Sequence, residues 1–426
     1  MRLIVFEDTL TNNFRPLTYT KPVFDLVNGI GTLFESINFT YPKIDSLIVQ
    51  PHLADITQRN YPSLNVNEFT LDDDSLFLNG LIKPNSPIIK DLFQREGDFI
   101  AIHNDNVIMA KLNERISKDL SIDFPLNFIK ELDSFNLDTI AVDENALFSN
   151  IWDLIKFNED SIIWQFSEFE KVDYCGIKKM ENPEIYLRGD PSKLFISDNV
   201  DISRSVSIDV RSGPVIILDN SFIDDFTVLY GPLTIGNNCE IKSARITNSS
   251  LGPYCKIGGE VDSSIIEKYS NKSHEGYLGH SYVGQFVNMG SGTITSDLKN
   301  TYGSIKINTN SGKIDSHMTK LGSFFADYSK TSIGSLIYAG CSLGVSSQLH
   351  GYMLKNIPSF TIYGEGMMAN TCELEIDSAI KTQKIMMERR NLTQTNIDSN
   401  LLNDVFKITN DDRKNFGVVK QRFHFS

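Results

Sequence analysis

One aliphatic residue returns at every sixth position over a long stretch of this 426-residue sequence. An α-helix would repeat about every 3.6 residues and a strand about every 2. A six-residue period fits a chain wound into a triangular prism, in which each short strand and turn forms one face and points one aliphatic side chain inward. The series runs through Ile196, Ile202 and Ile208, and then through Ile217, Ile223, Leu229, Ile235 and Ile241.

The period resumes at Leu321, Ile333, Ala339 and Val345. We therefore expect a parallel β-helix over residues 185–360, with interruptions at 258–275 and 296–320 that leave the prism as loops. Loops on a rigid scaffold are where sites tend to be built. The alternative, an irregular β-sandwich with chance spacing, does not account for five consecutive matches at a fixed phase.

Residues 1–180 alternate apolar strand-like runs with amphipathic stretches, a pattern that predicts an α/β domain with a mostly parallel sheet. The strand-like runs are 2–6, 46–49, 75–78 and 98–102, and the helix-like stretches are 29–37 and 87–95. Beyond the β-helix, a helical extension is expected over residues 370–426. There, apolar residues from Leu374 to Met386 and from Leu401 to Phe406 predict two helices that pack on the prism.

Composition narrows the classes of partner. A formal charge of −14 disfavours nucleic acid, because phosphate contacts need concentrated Lys and Arg. No apolar run is long enough to cross a membrane, and the N-terminus lacks the pattern of a signal peptide. Five scattered cysteines, at 175, 239, 255, 341 and 372, predict free thiols and a cytoplasmic location.

Two neighbouring motifs, at 271–279 and 287–295, carry a family resemblance. They read NKSHEGYLG and VNMGSGTIT, and they resemble the acetyltransferase domain of the bifunctional UDP-N-acetylglucosamine diphosphorylase/glucosamine-1-phosphate N-acetyltransferase family. The longer run 258–300 is similar to the branch found in archaea and Bacteroidetes, and FRPLTYTKP at 14–22 is similar to the segment that opens the family's N-terminal domain. The resemblance implies a left-handed β-helix, a homotrimer and acetyl-CoA.

Transfer of an acyl group to an amine needs a base, and histidine suits that work at neutral pH. His274 is the candidate base. The resemblance further implies contacts with the sugar phosphate and with the cofactor. The candidate substrate residues are Tyr277, Asn288, Asp297 and Lys272, and the candidate cofactor residues are Ser291, Gly292, Ser323 and Ala339. The backbone N–H groups of residues 290–292 are expected to stabilise the oxyanion. In the structural alternative, His274 is a solvated loop residue and Asn288 stacks inside the prism.

Two positions depart from the family pattern. The Asp that usually follows YxG is His280 here, and the Asn that usually follows GTIT is Asp297. An added carboxylate near the sugar suits an ammonium acceptor, or it is a surface charge of the loop. The resemblance therefore does not fix the acceptor.

The N-terminal domain has lost the residues that the family uses for nucleotidyl transfer. The phosphate-binding segment 6–14 contains no glycine, the expected catalytic lysine is Val23, and the expected metal-binding Asp is Asn79. Without them the phosphate charge is poorly stabilised. We expect a degenerate domain in which Arg15, Lys21 and Asn79 are the candidate phosphate contacts. Mg²⁺ is expected only if that site is active.

Three functions stay open: a CoA-dependent N-acyltransferase for an amino sugar or its phosphate, an active sugar-1-phosphate nucleotidyltransferase, and a trimeric scaffold or sugar-nucleotide sensor. A three-histidine zinc site is a further alternative, since His274, His280, His317 and His350 are available. Six-residue spacing puts His274 and His280 on successive faces of a regular coil, so no metal site is predicted.

Overall fold

The computed structural model describes residues 1–41, 43–68, 70–104, 106–118, 120, 135, 137–142, 146–171, 185–309, 312–364 and 369–424. The chain divides into two compact units. The first comprises Met1–Leu26 with Gly31–Asp153, and the second comprises Val27–Ile30 with Leu154–Ser426. Cys175 and the expected domain boundary near residue 180 lie outside the described residues.

The first unit is built on a seven-stranded sheet. In spatial order its strands are Asn65–Val66, Ser46–Ile48, Arg2–Phe6, Ser75–Asn79, Asn106–Leu112, Phe99–His103 and Asp138–Ala141. The first four strands run parallel, as does the last pair, while Asn106–Leu112 is antiparallel to both of its neighbours. The prediction of a mostly parallel sheet is confirmed, and the antiparallel strand was missed.

Helices connect these strands at Leu33–Thr40, Ala54–Asn60, Pro87–Gln94 and Glu114–Ser117. The stretch expected from residue 29 becomes helical only at Leu33. Thr32 caps this helix with its hydroxyl, and Glu35 returns a hydrogen bond to the Thr32 backbone N–H. Short 3₁₀ turns at Thr9–Phe14, Leu17–Tyr19, Val23–Asp25 and Pro51–Leu53 complete the unit.

The second unit begins with a helix, Asn158–Lys171, and continues as a left-handed parallel β-helix. Successive coils pair in parallel and in register, so that one interior column reads Ile196, Ile217, Ile235, Leu251, Ile266, Val283, Phe325 and Leu343. The strands are Tyr186–Arg188, Leu194–Ile196, Asp201–Ile202, Ser207–Asp209, Val215–Ile217, Phe222–Ile223, Val228–Tyr230, Leu233–Ile235, Glu240–Thr247, Ser250–Leu251, Lys256–Asp262, Ile265–Ile266, Asn271–Lys272, Tyr277–Gly279, Tyr282–Val283, Asn288–Met289, Ile294–Thr295, Phe324–Phe325, Lys330–Thr331, Leu336–Ile337, Ser342–Leu343, Gln348–Leu349, Tyr352–Met353 and Thr361–Tyr363.

The phase expected for the second run of the repeat is wrong. Its inward positions are Phe325, Thr331, Ile337, Leu343 and Leu349, all buried and again six residues apart. Ile333, which the sequence placed inward, is 74% exposed. The repeat buries a second position, two residues before each inward one, and small residues occupy it: Ser323, Ser329, Ser335, Cys341 and Ser347. Leu321 and Val345 are buried as well, but they share the phase of the exposed Ile333. The first run from Ile196 to Ile241 has the predicted phase.

Only one of the two expected interruptions leaves the prism. Residues 256–262 form a continuous strand that pairs with Glu240–Thr247 on one side, so the first motif lies in regular coils. The second interruption is an antiparallel hairpin of Lys306–Thr309 and Gly312–Asp315. The period was lost at 258–275 because these coils have shorter turns, whereas residues 296–320 do carry an insertion.

Helices Ile376–Glu388, Asn396–Ile408 and Asn410–Phe416 follow the last coil. The two predicted helices are confirmed, and they pack on the β-helix as expected. The Phe406 ring lies edge-on to Phe360 with centroids 5.2 Å apart, and Arg390 donates to Asn271 Oδ1. Among the helices described here, none has the length and apolar character that crossing a membrane requires.

Candidate functional site

The corner that carries His274 is fixed from beneath by a buried lysine. His274 lies between strands Asn271–Lys272 and Tyr277–Gly279, with an exposed side chain. The Lys272 ammonium donates to the carbonyl oxygens of Gly258 at 2.8 Å and His274 at 3.1 Å. Burial lowers the pKa of Lys272 to about 8. Lys272, predicted to touch substrate, thus holds the backbone of this corner.

Three side chains meet next to this corner around one carboxylate. Asp297 Oδ2 accepts a hydrogen bond from the Tyr277 hydroxyl at 2.8 Å and lies 2.7 Å from His280 Nδ1. The side chains of His280 and Asp297 are only 15% and 11% exposed. The sequence treated His280 and Asp297 as two separate departures from a pattern, but in the structure they contact each other. Their separation of seventeen residues corresponds to one coil in this part of the β-helix.

The carboxylate of Asp297 stays ionised in this setting. Burial raises its pKa, but the hydrogen bonds from His280 and Tyr277 outweigh burial and bring the pKa below its usual value. Burial and the same carboxylate raise the pKa of Tyr277 far above its usual range, so Tyr277 acts as a donor. The ring nitrogen of His280 that faces Asp297 is Nδ1, so Nε2 is the nitrogen directed away from this carboxylate.

A glycine makes this arrangement possible. A Cβ atom at Gly279 would lie 2.3 Å from the Tyr277 hydroxyl oxygen. The Tyr277 ring therefore folds over the backbone of Gly279 to reach Asp297. This close approach is the physical reason for tyrosine and glycine two residues apart in the first motif.

The second motif forms a tight turn in which the backbone N–H groups of both glycines already donate hydrogen bonds. Gly290 N–H donates to Thr331 O, and Gly292 N–H donates to Glu275 O at 3.1 Å. The expectation that these two amides stabilise an oxyanion is therefore wrong, because the coil ladder already engages them. Ser291 is exposed at the tip of the turn.

The outer surface of the prism beside this turn carries Asn288. Its side chain is exposed, and its Oδ1 accepts from Asn271 Nδ2 at 3.3 Å. The alternative in which Asn288 stacks inside the prism is thus excluded. Asn271 in turn accepts a hydrogen bond from Arg390, which lies in the turn that follows the first C-terminal helix.

Ser323 belongs to a buried ladder of serines. Its N–H donates to Ser281 Oγ at 2.9 Å, Ser281 N–H donates to Ser264 Oγ, and Ser264 N–H donates to Ser249 Oγ. Ser323 has no exposed surface, and its hydroxyl donates to Tyr338 O. We therefore do not retain Ser323 as a cofactor contact. Ala339 is half-buried in the turn that follows strand Leu336–Ile337.

The four histidines considered for zinc do not assemble. His280 is held by Asp297, and the His350 ring stacks on Phe423 with centroids 4.9 Å apart. His317 lies just beyond the inserted hairpin. Within the ranges that the structure describes, no group of three His, Cys, Asp or Glu side chains could hold a metal ion.

In the first unit, carboxylates lie where the sequence expected a phosphate site. Glu7 is fully buried and accepts the backbone N–H groups of Val23 at 2.7 Å and Gln50 at 3.1 Å. Burial raises the pKa of Glu7 to about 8. Burial also raises the pKa of Asp8.

Asn79 is buried, and both ends of its amide are engaged. It donates to Asp8 Oδ2 at 3.0 Å and to Val107 O, and it accepts from Leu81 N–H. Lys21 is buried as well, while Arg15 is half-buried with its guanidinium over the Tyr19 ring. Asn79 thus has a structural role, and the structure does not expose it to a phosphate.

Comparison with known proteins adds two kinds of match. Residues 3–172 match the family model described as sugar nucleotidyl transferase. A bifunctional protein GlmU from Rippkaea orientalis is 33% identical over 130 residues, covering 25% of this chain and 29% of that protein. A bifunctional sugar-1-phosphate nucleotidylyltransferase/acetyltransferase from Sulfurisphaera tokodaii is 32% identical over 150 residues, covering 30% of this chain and 37% of that protein. The chain thus spans about a third of the length of these relatives.

Solved structures add little to these matches. The UDP-N-acetylglucosamine acyltransferase of Francisella novicida covers 54% of this chain and 78% of its own at 17% identity, with a TM-score of 0.21, which is too low to support a conclusion. Residues 3–172 are thus similar to sugar nucleotidyl transferases, and the chain is similar over part of its length to bifunctional proteins of the GlmU type.

Proposed function

We propose that the chain is a CoA-dependent N-acyltransferase that acts on an amino sugar or an amino-sugar phosphate. The observation that carries the proposal is the contact of Tyr277, Asp297 and His280 beside the corner of His274. An ionised carboxylate at this place attracts the ammonium form of an amine acceptor. A histidine base can remove one proton from that ammonium, so that the neutral amine attacks the thioester. The second N–H proton passes to the CoA thiolate as it leaves, which gives the amide and free CoA.

The geometry of the described residues supports a proposed role for each side chain. His274, on an exposed corner that Lys272 fixes from within, is the proposed base. Asp297 is the proposed acceptor contact, because its Oδ1 accepts no hydrogen bond from the described residues and the atom is not sealed from solvent. His280 and Tyr277 are positioning residues that orient the carboxylate. Asn288 and Ser291, both exposed nearby, are the proposed contacts of the sugar phosphate and the thioester, with Gly292 and Ala339 beside the cofactor.

A homotrimer is part of the proposal, and an apolar strip on one face of the β-helix supports it. Ile294, Leu336 and Tyr352 are in register on neighbouring strands, and Ile333 and Leu354 lie at the turns beside them. Ile294 is 43% exposed and Leu354 is 65% exposed. Exposed apolar patches of this kind mark association sites. The strip adjoins the turn of Ser291, so a second subunit on it would contribute to the cofactor site.

For the first unit we propose a sugar-phosphate or nucleotide binding role without efficient nucleotidyl transfer. The two amides nearest to the missing glycine loop, those of Val23 and Gln50, already donate to Glu7. A triphosphate would need these donors and a metal carboxylate, and Asn79 is neutral. A scaffold or sensor without catalysis remains the competing function. The free thiols of the four described cysteines favour a cytoplasmic protein.

The direct test is release of free CoA from acetyl-CoA in the presence of glucosamine-1-phosphate or a related amino sugar. The proposal expects thiol release that depends on the amine. If no amino sugar in a panel supports the release of CoA, the scaffold or sensor becomes the better-supported function. A parallel screen measures the melting temperature with acetyl-CoA, UTP, dTTP and sugar phosphates. It identifies which of these ligands the protein binds, since a ligand of the folded state raises the melting temperature.

A further inference from the structure

More than one carboxylate borders the acceptor site proposed above. Glu260, on the preceding coil, is in register with Tyr277. Asp262 is in register with Gly279 on the same pair of strands. The residue between the two acids, Val261, is buried, so both acidic side chains point outward on the face that carries Tyr277. Neighbouring strands lie about 4.8 Å apart, so these carboxylates and the Tyr277 ring are close neighbours.

The charges of these two carboxylates are poorly balanced by cations. Asp262 accepts a hydrogen bond from the Ser263 hydroxyl at 2.9 Å, and in the described part of the chain no Lys, Arg or His side chain lies within ion-pair distance of it. Glu260 lies 3.9 Å from Arg245, and the two side chains are 51% and 59% exposed, so this pair is weak. The Lys272 ammonium is buried beneath the corner and donates to two backbone carbonyls.

A third carboxylate, that of Asp297, acts on the same place. Burial and the hydrogen bond to Asp297 raise the pKa of Tyr277, and the charges of Asp262 and Glu260 raise it further. Burial raises the pKa of Asp297 and its two hydrogen bonds outweigh burial and lower it, while the charge of Lys320 lowers it by less. Three carboxylates therefore face one side of the acceptor site, and this side of the site is acidic.

We propose that the acceptor is a free amino sugar and that the site disfavours the corresponding sugar 1-phosphate, an inference that rests on the acyl transfer proposed above. The ammonium form of an amino sugar is a cation, whereas a phosphate group adds about 1.5 to 2 negative charges at pH 7. Glu260, Asp262 and Asp297 attract the cation and repel the phosphate. A phosphate would need cationic donors directed at its oxygens, and the Lys272 ammonium is already bonded to the backbone. Asn288 then contacts a hydroxyl group of the sugar.

The test compares each acceptor with its own phosphate in the thiol-release assay, using the full-length protein, glucosamine and galactosamine, and their 1-phosphates. We expect kcat/KM for the free amino sugar to be higher by roughly tenfold or more. An equal or higher kcat/KM for the 1-phosphate would overturn this inference and leave the acyl transfer itself supported. If none of the four compounds releases CoA, both the acyl transfer and this inference are contradicted.

Two further measurements show whether the carboxylates cause the preference. In the double variant Glu260→Gln with Asp262→Asn, kcat/KM for the 1-phosphate should rise and that for the free amino sugar should fall, so that their ratio changes by roughly tenfold. Asp201→Asn, which removes an exposed carboxylate on an early coil, should leave the ratio unchanged. In the native protein, added salt should reduce the preference, because salt screens exposed charges. A ratio that is unchanged in the double variant, or unaffected by salt if that variant does not fold, would contradict this inference.

Discussion

His280 and Asp297 face each other across one coil of the β-helix, with Nδ1 2.7 Å from Oδ2. These are the two positions at which the motif differs from the family pattern, where Asp and Asn are usual. Because the two side chains are in contact, we expect the two departures to be coupled. The carboxylate stands at position 297 here, whereas the family pattern has it at position 280. The Asp297 carboxylate also accepts a hydrogen bond from the Tyr277 hydroxyl.

The coupling can be measured by reverting the pair. His280→Asp alone places two carboxylates face to face and should lower the free energy of unfolding by about 1–3 kcal/mol. Adding Asp297→Asn restores a carboxylate–amide pair and should recover most of that loss. The backbone at residue 280 has a φ of 46°, a region in which Asp is tolerated, so the first substitution adds little backbone strain. Urea unfolding of the four proteins gives the coupling, and simple additivity would contradict it.

Asp297→Asn alone keeps the shape of the side chain and removes its charge. If Asp297 attracts the ammonium group of the acceptor, kcat/KM for the amine should fall roughly tenfold or more, while the KM for acetyl-CoA changes little. Asp315→Asn, on the hairpin, is the matched control. Steady-state thiol release with each substrate varied separately distinguishes the two parameters. An unchanged kcat/KM for the amine would remove Asp297 from the acceptor site.

The buried Lys272 gives the protein a predictable pH dependence. Its pKa of about 8 in the folded state lies below the value of 10.5 for an exposed lysine, so the unfolded chain binds more protons between these pH values. The free energy of unfolding, relative to that of Lys272→Met, should therefore rise with pH across this window, by up to about 3 kcal/mol. Lys330 is present in both proteins, so its own titration cancels. A difference that is flat or falls from pH 7.5 to pH 10 would contradict the assignment.

Nucleotidyl transfer should be absent or very weak. No pyrophosphate is expected above background from UTP or dTTP with glucose-1-phosphate or N-acetylglucosamine-1-phosphate and Mg²⁺. Asn79→Asp should not restore the reaction, because the amides of Val23 and Gln50 remain engaged by Glu7. Turnover at ordinary enzymatic rates in the native protein, measured by a coupled pyrophosphate assay, would overturn the proposal of a degenerate first unit.

Much of the fold followed from one repeat. Aliphatic residues six positions apart predict the prism because nothing else buries one side chain per six residues. The phase of the second run was misassigned because aliphatic residues also recur at Leu321, Ile333 and Val345, which lie outside the inward phase. Only two residues separate strand Asn106–Leu112 from the end of strand Phe99–His103, and so short a connection can join only antiparallel strands. The sequence analysis missed it because it assigned no strand to these residues.

The site was only partly predictable. The sequence analysis singled out Tyr277 and Asp297 one at a time. The contact of Asp297 with Tyr277 and His280 depends on the length of a single coil, which the sequence analysis did not have. The amides of Gly290 and Gly292 were expected to be free, whereas ladder hydrogen bonds use them. Ser323 was expected to contact the cofactor because of the family resemblance. Only its burial shows that it belongs to the interior ladder of serines.

The most direct test of the account is the rate of amine-dependent CoA release by His274→Ala compared with the native protein. The account predicts an unchanged fold and assembly state, because His274 is exposed and Lys272 binds only its backbone carbonyl, together with a rate lower by roughly 10² to 10⁴ fold. His280→Ala should reduce the rate less, since His280 acts through Asp297. Equal rates for His274→Ala and the native protein would contradict the assignment of the base, and with it the proposed mechanism.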